Sequence, residues 1–318
     1  MDAAEAGALA RRIRDEVGKG VVGQAGVVDL LLTALLARGH VLVEGPPGVA
    51  KTLLVRCFAR AVGLDYGRIQ FTPDLTPGDI LGANLFNFQT SSFTLTRGPV
   101  FTELLLADEI NRSPPKTQAA LLEAMQERHV TLDGQRHDLG QRFLVVATEN
   151  PLESQGVYPL PEAQLDRFLF KAVVGYPDAE EERRIIASHG QHTGSPEPAE
   201  LGVGAACTPE QLDEAAAAAV AVRLQPQVVA YVADLVRATR ESPEVEVGAS
   251  PRGGAMLAAA ARAHALLDGR DYVIPDDVKA LAPAALRHRI VLTPAAEMEN
   301  RRVEEVIDAV VARIEAPK

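Results

Sequence analysis

The sequence has no tryptophan, few other aromatic residues and only two cysteines. Aromatic residues make up 4% of the 318 residues. A hydrophobic core must therefore be built from Ala, Val, Leu and Ile, which favours helices packed on helices or on a parallel sheet. Cys57 and Cys207 are far apart in the sequence and form no Cys-x-x-Cys pair. This spacing argues against a disulfide framework and against a zinc site.

Long apolar segments are missing as well. The longest runs, such as residues 215–222, are much shorter than the ~20 residues that a membrane-spanning helix needs. The first twenty residues place acidic side chains before basic ones and contain no apolar stretch of the kind found in signal peptides. We therefore expect a cytoplasmic protein without membrane insertion.

The sequence also has no excess of positive charge. It contains 32 Lys and Arg against 43 Asp and Glu, which gives a formal net charge of −11. Proteins that bind duplex nucleic acid use clustered Lys and Arg to neutralise phosphates. The acidic balance therefore argues against nucleic acid as the main partner.

Short, almost continuously apolar segments alternate with helical patterns in the first half of the chain. Such segments are typical of strands buried on both faces, so we expect a parallel five-stranded sheet between helices. The predicted strands are residues 40–44, 68–71, 104–108, 143–148 and 169–174, and the predicted helices are 24–37, 51–62 and 116–128.

The composition changes after residue 190. We assign residues 1–190 to an α/β core with two hairpin insertions, at about 73–101 and 130–141; the second has the turn signal Asp133-Gly134. A linker rich in Gly and Pro follows at 191–207. Residues 208–318 read as an Ala-rich domain of helices alone, with no convincing strand.

The segment Gly45-Pro-Pro-Gly-Val-Ala-Lys-Thr52 lies between a predicted strand and a predicted helix, which is the context of a phosphate-binding P-loop. Ala50 stands where the general motif has its second glycine; alanine suits a helix start, so we expect the loop to form. The alternative is a strand-to-helix turn with an incidental lysine. The predicted nucleotide-binding residues here are Gly45, Pro46, Pro47, Gly48, Val49, Ala50, Lys51, Thr52 and Leu53.

Two adjacent carboxylates, Asp108 and Glu109, end the apolar segment at 104–108. In a P-loop ATPase, Lys51 would contact the β- and γ-phosphates of ATP, and Thr52 and Asp108 would hold Mg²⁺. Glu109 would polarise the attacking water. The alternative is an ordinary polar strand end.

These motifs, taken together, resemble the MoxR family of AAA+ ATPases, which belongs to the helix-2-insert group with magnesium-chelatase motor subunits and minichromosome-maintenance helicases. The resemblance covers nearly the whole chain, and the block from Ala107 to Phe168 is highly specific. Ala50 is typical of MoxR-like sequences, whereas Glu149 stands where we expect glutamine. The matching segments are residues 21–24, 45–52, 107–127, 147–151, 158–168, 249–252 and 287–290.

The resemblance assigns roles to further polar residues. Asn150 matches sensor 1, an amide that hydrogen-bonds the γ-phosphate or the attacking water; a turn-forming Asn before a proline is the alternative. Arg167 matches the arginine finger, which reaches the γ-phosphate bound by a neighbouring subunit. The alternative for Arg167 is an ion pair with Asp166 or Glu162.

Three more residues are matched in the same way. Arg252 corresponds to sensor 2, in its own subunit or in a neighbouring one; the alternative is a solvated helix residue. Val22 and Gln24 correspond to residues that line the adenine pocket, and the alternative is a helix cap with a buried valine.

The resemblance implies a Mg²⁺-dependent ATPase that forms a ring, expected to be a hexamer, and remodels or matures a partner protein. By the same resemblance the expected client carries a von Willebrand factor A domain. A nucleic-acid translocase and a chelatase-like motor subunit are the alternatives. A switch that binds nucleotide without hydrolysing it is disfavoured because Glu109 is present.

Overall fold

The structure is a computed structural model that describes residues 1–87, 92–151, 156–190, 194 and 196–317. The helices are α1 (Ala3–Gly20), α2 (Ala25–Leu36), α3 (Lys51–Val62), α4 (Pro77–Leu81), α5 (Pro115–Glu127), α6 (Glu162–Leu165), α7 (Ala179–His189), α8 (Pro209–Ala221), α9 (Pro226–Arg240), α10 (Pro251–Leu267), α11 (Pro275–Leu286), α12 (Pro294–Met298) and α13 (Val303–Arg313). The strands are β1 (Val41–Glu44), β2 (Tyr66–Gln70), β3 (Gly82–Asn87), β4 (Ser92–Arg97), β5 (Leu104–Asp108), β6 (His129–Leu132), β7 (Gln135–Asp138), β8 (Leu144–Glu149), β9 (Phe170–Val173), β10 (Val245–Val247) and β11 (Val291–Leu292).

Five parallel strands form the central sheet in the spatial order β2-β5-β8-β1-β9. Strand β5 is buried at every position. Leu104 and Leu106 join the apolar cluster on one face of the sheet, and Leu105 and Ala107 join the cluster on the other face. Both faces are therefore covered, as uninterrupted apolar strands require, and the predicted fold class is confirmed.

The bounds of the sheet strands agree closely with the sequence. Strand β5 is the predicted segment 104–108, and the other strands differ from their predicted ends by one or two residues. The expectation of two buried faces is wrong for β2, which lies at the edge of the sheet. Ile69 is buried, but Arg68 and Gln70 on either side of it are exposed.

Two antiparallel hairpins lie at the predicted insertions; β3 and β4 fall within 73–101, and β6 begins one residue before the range 130–141. Strands β3 and β4 pair from Gly82 opposite Arg97 to Asn87 opposite Ser92, and residues 88–91 between them lie outside the described part of the chain. Strands β6 and β7 pair around the turn at Asp133 and Gly134, which have φ of 48° and 78°. Such angles are those of a tight hairpin turn.

The C-terminal part of the chain packs as a helical layer against the sheet and the N-terminal helices. Helix α10 contacts α1, α2 and α8, and α11 contacts β9. The expectation that this part contains no strand is wrong, because β10 and β11 form a short antiparallel pair. Strands of two or three residues are too short to carry a periodic pattern. The domain boundaries at 190 and 208 stay predictions. None of the described helices is long and apolar enough to cross a bilayer.

Candidate functional site

The candidate phosphate loop runs from the end of β1 to Lys51, the first residue of α3. Gly48 has a φ of 84°, which favours glycine. A Cβ on Gly45 would lie 2.5 Å from the carbonyl oxygen of Val174, so no larger residue fits there. The first backbone N–H groups of α3 have no helical partners and carry the positive end of the helix dipole. The loop therefore has the form of an anion site.

Ala50 does not belong to the helix. It lies just before α3 with φ 60° and ψ 25°, in the left-handed region that disfavours every residue with a Cβ. The expectation that alanine suits this position as a helix start is therefore wrong. The loop forms with an alanine in a strained conformation, where glycine would fit without strain.

The ammonium group of Lys51 lies within the loop. Its Nζ donates to the carbonyl oxygens of Gly45, of Pro46 at 3.1 Å and of Glu149 at 3.5 Å. The first two acceptors belong to the phosphate loop, and the third is the last residue of β8. The positive charge of Lys51 is thus placed beside the helix N-terminus, where both attract a phosphate group.

Asp108, which is 7% exposed, is held by hydroxyl groups from two other elements. Thr52 on α3 donates from Oγ1 to Asp108 Oδ2 over 3.1 Å, and Thr148 on β8 donates from Oγ1 to Asp108 Oδ1 over 2.7 Å. Because β5, β8 and β1 are neighbours, the polar residues that follow them meet at the carboxyl edge of the sheet. The structure thus brings together Lys51, Thr52 and Asp108.

Glu109 lies directly beyond the strand, with φ 57° and ψ 52°. Gln70 donates from Nε2 to Glu109 Oε2 over 2.6 Å, and Arg112 donates from Nη1 to the same oxygen over 2.9 Å. The backbone N–H of Glu109 donates to Thr148 Oγ1 over 2.8 Å. The carboxylate is therefore held at the sheet edge next to Asp108.

Sequence reasoning did not predict the edge-strand partners of these carboxylates. Arg68 donates from Nη2 to Asp108 Oδ2 over 2.8 Å, and it also donates to Gln70 Oε1 over 2.7 Å. Arg68 and Gln70 are two residues apart, so their spacing places both on one face of a strand. That spacing could have drawn attention to them, but only the strand order shows that β2 lies next to β5.

The oxygen atoms at this edge fit a magnesium ion. Mg²⁺ prefers hard oxygen ligands and is bound by few protein groups together with phosphate oxygens and water. Thr52 Oγ1 and Asp108 Oδ2 supply such oxygens 3.1 Å apart. The guanidinium of Arg68 contacts the same carboxylate oxygen, so a bound cation has to share Asp108 with Arg68 or displace it.

Asn150 follows β8 and is 5% exposed. The carbonyl oxygen of Glu149, the residue before it, accepts from Gly45 N at 3.3 Å and from Lys51 Nζ. Asn150 is thereby fixed beside the phosphate loop. Burial raises the pKa of the Glu149 carboxyl, against the effect of the nearby Lys171 cation.

A cavity of about 420 Å³ opens next to the phosphate loop. Val22 and Gln24 line it together with Leu53 and the loop, and α7 closes it with Ile186. Gln24 precedes α2, but its side chain makes no capping hydrogen bond. The structure thus places both predicted adenine-pocket residues at one apolar cavity beside the loop.

Arg167 and Arg252 lie away from the phosphate loop. They line a second cavity, of about 330 Å³, together with Arg38 and Arg128, and none of the described residues that line it is acidic. Arg167 precedes β9 and Arg38 precedes β1, so this cavity lies at the amino edge of the parallel sheet. The phosphate loop and the acidic pair lie at the opposite, carboxyl edge.

The alternative partners considered for Arg167 do not hold it. Asp166 forms its ion pair with Arg289, whose Nε donates to Asp166 Oδ1 over 2.7 Å. Within the part of the chain that the structure describes, the Arg167 side chain pairs with neither Asp166 nor Glu162. Its charge faces the cavity whose described lining includes no Asp or Glu.

Comparison with known families gives two matches. Residues 40–170 match the profile of the ATPase family associated with various cellular activities (AAA). Residues 237–310 match the AAA lid domain. The first range contains the phosphate loop, the acidic pair and Arg167, and the second contains Arg252.

Individual proteins resemble the chain over nearly its whole length. Chaperone MoxR1 of Mycobacterium tuberculosis is 46% identical over 99% of this chain and 84% of its own length. Protein MoxR of Methylorubrum extorquens is 34% identical over 97% of this chain and 95% of its own. The crystal structure of a candidate ATPase from Cytophaga hutchinsonii superposes with a TM-score of 0.90, at 38% identity over 99% of this chain and 97% of that one.

Proposed function

The chain belongs to the MoxR family of AAA+ ATPases, and we propose that it hydrolyses ATP between the protomers of a ring and uses the cycle to remodel a client protein. The observation that carries this proposal is the separation of the two sets of charged residues. Lys51 and Glu109 lie at the carboxyl edge of the sheet, and Arg167 and Arg252 lie at the amino edge.

One protomer supplies the groups that bind and hydrolyse ATP. Lys51 binds the phosphates, and Asn150 hydrogen-bonds the γ-phosphate or the attacking water. Thr52 and Asp108 would hold Mg²⁺, which when bound neutralises phosphate charge. Glu109 takes the proton of the attacking water; its carboxylate is already oriented by Gln70 and Arg112.

A neighbouring protomer supplies the arginines. Strand β1 has 4 residues, so at ~3.3 Å per residue about 13 Å of sheet separates its two ends. Arg167 and Arg252 therefore lie on the far side of the sheet from the phosphate loop of their own protomer. Both act in trans in this proposal, where their positive charge stabilises the charge that develops on the γ-phosphate.

This arrangement makes the contact between protomers a head-to-tail one. The carboxyl edge of one protomer meets the amino edge of the next, and such heterologous contacts generate a ring when the rotation closes. The family resemblance supports six protomers. The same resemblance supports a cytoplasmic location.

In this proposal, ATP hydrolysis moves the lid at 208–318 relative to the core at 1–190, and the linker at 191–207 connects the two. The hairpins at 73–101 and 130–141 contact the client. Asn84 on β3 donates to Asp133 at the second turn over 2.7 Å, so the two hairpins are joined and can move together. The resemblance favours a client with a von Willebrand factor A domain, and a related protein is named a chaperone.

Glu109→Gln tests the proposal. Gln cannot accept the proton of the attacking water, so hydrolysis should fall by about 100-fold or more. ATP binding should persist, because Lys51 and the loop are unchanged. The variant loaded with ATP should elute as an assembly of several protomers in size-exclusion chromatography with light scattering.

The matched control is Glu103→Gln. Glu103 precedes β5 at the opposite end of the strand and pairs with Arg142 at 2.6 Å. This control should hydrolyse ATP within about twofold of the unmodified protein, since Glu103 lies at the end of β5 away from the phosphate loop and Gln keeps its size. Turnover above a tenth of the normal rate in Glu109→Gln would contradict the role of Glu109, and a monomer in the presence of ATP would contradict the ring.

A further inference from the structure

Arg289 is an almost completely buried arginine in the helical C-terminal region. Its side chain is 1% exposed. A buried guanidinium is costly unless its donors are paired, and arginine has five N–H donors in a fixed plane. Arg289, which follows α11, therefore needs hydrogen-bond acceptors for its guanidinium at the interface between the helical layer and the sheet.

The donors of Arg289 bind the backbone on both sides of Arg167. Nε donates to Asp166 Oδ1 over 2.7 Å, and Nη2 donates to the carbonyl oxygens of Asp166 at 3.2 Å and Phe168 at 2.6 Å. Nη1 donates to the carbonyl oxygens of Leu169 at 3.2 Å and of Ala285. One side chain thus fixes residues 166, 168 and 169.

Asp166 connects the same point to the start of α10. Ser250 donates from Oγ to Asp166 Oδ2 over 3.3 Å and caps α10 by accepting from Gly253 N at 3.1 Å. A Cβ on Gly253 would lie 2.9 Å from Arg289 Cδ, so the helix and the arginine are in close contact. Arg252 lies between Ser250 and Gly253.

Arg167 and Arg252 are therefore attached to one cluster, defined here as the buried Arg289 and the half-buried Asp166 and Ser250. We propose that Arg289 is a positioning residue that holds Arg167 and Arg252 in register for the ATP site of the neighbouring protomer. This inference rests on the proposed trans role of Arg167. In this proposal, the helical layer helps to position the arginine finger, Arg167.

The geometry explains why arginine is needed. Lysine has one nitrogen and cannot reach the carboxylate of Asp166 and the carbonyls of Phe168 and Leu169 together. Without Arg289 the loop at 166–169 loses its fixed position. A displacement of about 1 Å at a catalytic group can cost on the order of 100-fold in rate.

A subunit-mixing experiment separates positioning from stability. Lys51→Ala protomers cannot bind ATP but keep Arg167, and Arg167→Ala protomers bind ATP but supply no finger. A mixture of the two should regain hydrolysis, because the first kind donates its Arg167 to the second. Arg289→Met is then added to one kind of protomer at a time.

In the finger donor, Lys51→Ala with Arg289→Met, the regained kcat should fall by about 10- to 100-fold with KM for ATP little changed. In the ATP-binding protomer, Arg167→Ala with Arg289→Met, the regained activity should persist. Equal losses in both mixtures would overturn the proposal, because general destabilisation does not depend on which protomer carries the change. Arg289→Lys should show the same asymmetry with a smaller loss, and it keeps the test decisive if Arg289→Met does not fold.

The matched control is Arg270→Met. Arg270 pairs with the buried Asp277 at 2.6 Å in the same helical region and forms no hydrogen bond or ion pair with the described loop at 166–169. Arg270→Met should lower the melting temperature. The regained ATP hydrolysis should be the same whichever kind of protomer carries it. If the starting mixture of Lys51→Ala and Arg167→Ala regains no hydrolysis, the trans role of Arg167 fails and the proposal for Arg289 fails with it.

Discussion

Single residues at the carboxyl edge of the sheet differ in how far the sequence reveals them. Lys51 and Asp108 were predicted because each belongs to a local motif that follows a strand. Arg68 was not, because its contact with Asp108 depends on the pairing of β2 with β5, two strands separated by more than thirty residues. A linear motif records neighbours in sequence, whereas Arg68 is a neighbour only through the sheet.

Ala50→Gly tests the strain in the phosphate loop. The left-handed conformation costs an alanine about 1–2 kcal/mol, and glycine loses about 0.5–1 kcal/mol more than alanine through chain entropy. The variant should therefore be more stable by up to about 1.5 kcal/mol, which corresponds to a rise in melting temperature of up to roughly 3 °C. Differential scanning calorimetry without nucleotide measures this change.

The same substitution at Ala217 is the control. Ala217 is an exposed residue within α8, so glycine there should destabilise the protein by about 1 kcal/mol. A lower melting temperature in Ala50→Gly as well would show that the backbone at residue 50 is not strained by its Cβ.

At the scale of elements, a buried histidine joins the sheet to a helix. His40 precedes β1; its Nδ1 accepts from the backbone N–H of Val145 at 3.0 Å, and its Nε2 lies 3.0 Å from the carbonyl oxygen of Met125 at the end of α5. This pattern requires a neutral ring that donates from Nε2. The sequence showed His40 only as the first residue of a predicted strand, because both partners are distant along the chain.

This histidine makes stability depend on pH. Burial, together with the charge of Arg128, lowers the pKa of His40 to about 3. Because the pKa of His40 is lower in the folded than in the unfolded state, its neutral ring stabilises the folded state. This stabilisation is complete above the unfolded pKa of about 6.5 and is lost as the pH falls towards 3. The free energy of unfolding should drop by about 1 kcal/mol between pH 7 and 5.5 for this reason alone.

Urea unfolding of the unmodified protein and of His40→Gln at pH 7.5, 6.5 and 5.5 measures that contribution. The variant is expected to be less stable at pH 7.5 but to lose less stability on acidification. If the free energies of unfolding of the two proteins changed in parallel with pH, the pKa of His40 would be the same in the folded and unfolded states, which would contradict the prediction.

The sequence predicts the bounds of some helices closely and misses two short strands. Helix α3 has the predicted bounds, and α2 and α5 differ from prediction by one residue at each end, because apolar periodicity and loop residues mark them. Strands β10 and β11 escaped prediction because their pairing is tertiary and their length is two or three residues.

At the scale of the whole molecule, the charge distribution bears on the choice of partner. The net charge is −11, yet Arg38, Arg128, Arg167 and Arg252 gather at one cavity. The cavity is small, and a groove that follows a nucleic-acid strand would need a longer basic surface. The position of this cluster could not be predicted from the sequence, since the opposite edges of the sheet exist only once all five strands are assembled.

Single-stranded DNA should therefore leave ATP hydrolysis unchanged. The expected result at about 50 mM salt is a kcat within twofold of that without DNA, and a titration with oligonucleotide measures it. Stimulation that falls steeply as salt rises would instead favour the translocase function, because release of counterions gives nucleic-acid binding that dependence.

If the ATP site is shared between protomers as proposed, the placement of the two sets of charged residues at opposite edges of one sheet also makes activity depend on protein concentration. In the proposed ring, a lone protomer would hold half of each of two ATP sites and a complete copy of neither. Turnover per molecule should then rise with protein concentration and vanish on dilution, so that hydrolysis begins only where enough copies of the chain have accumulated to meet.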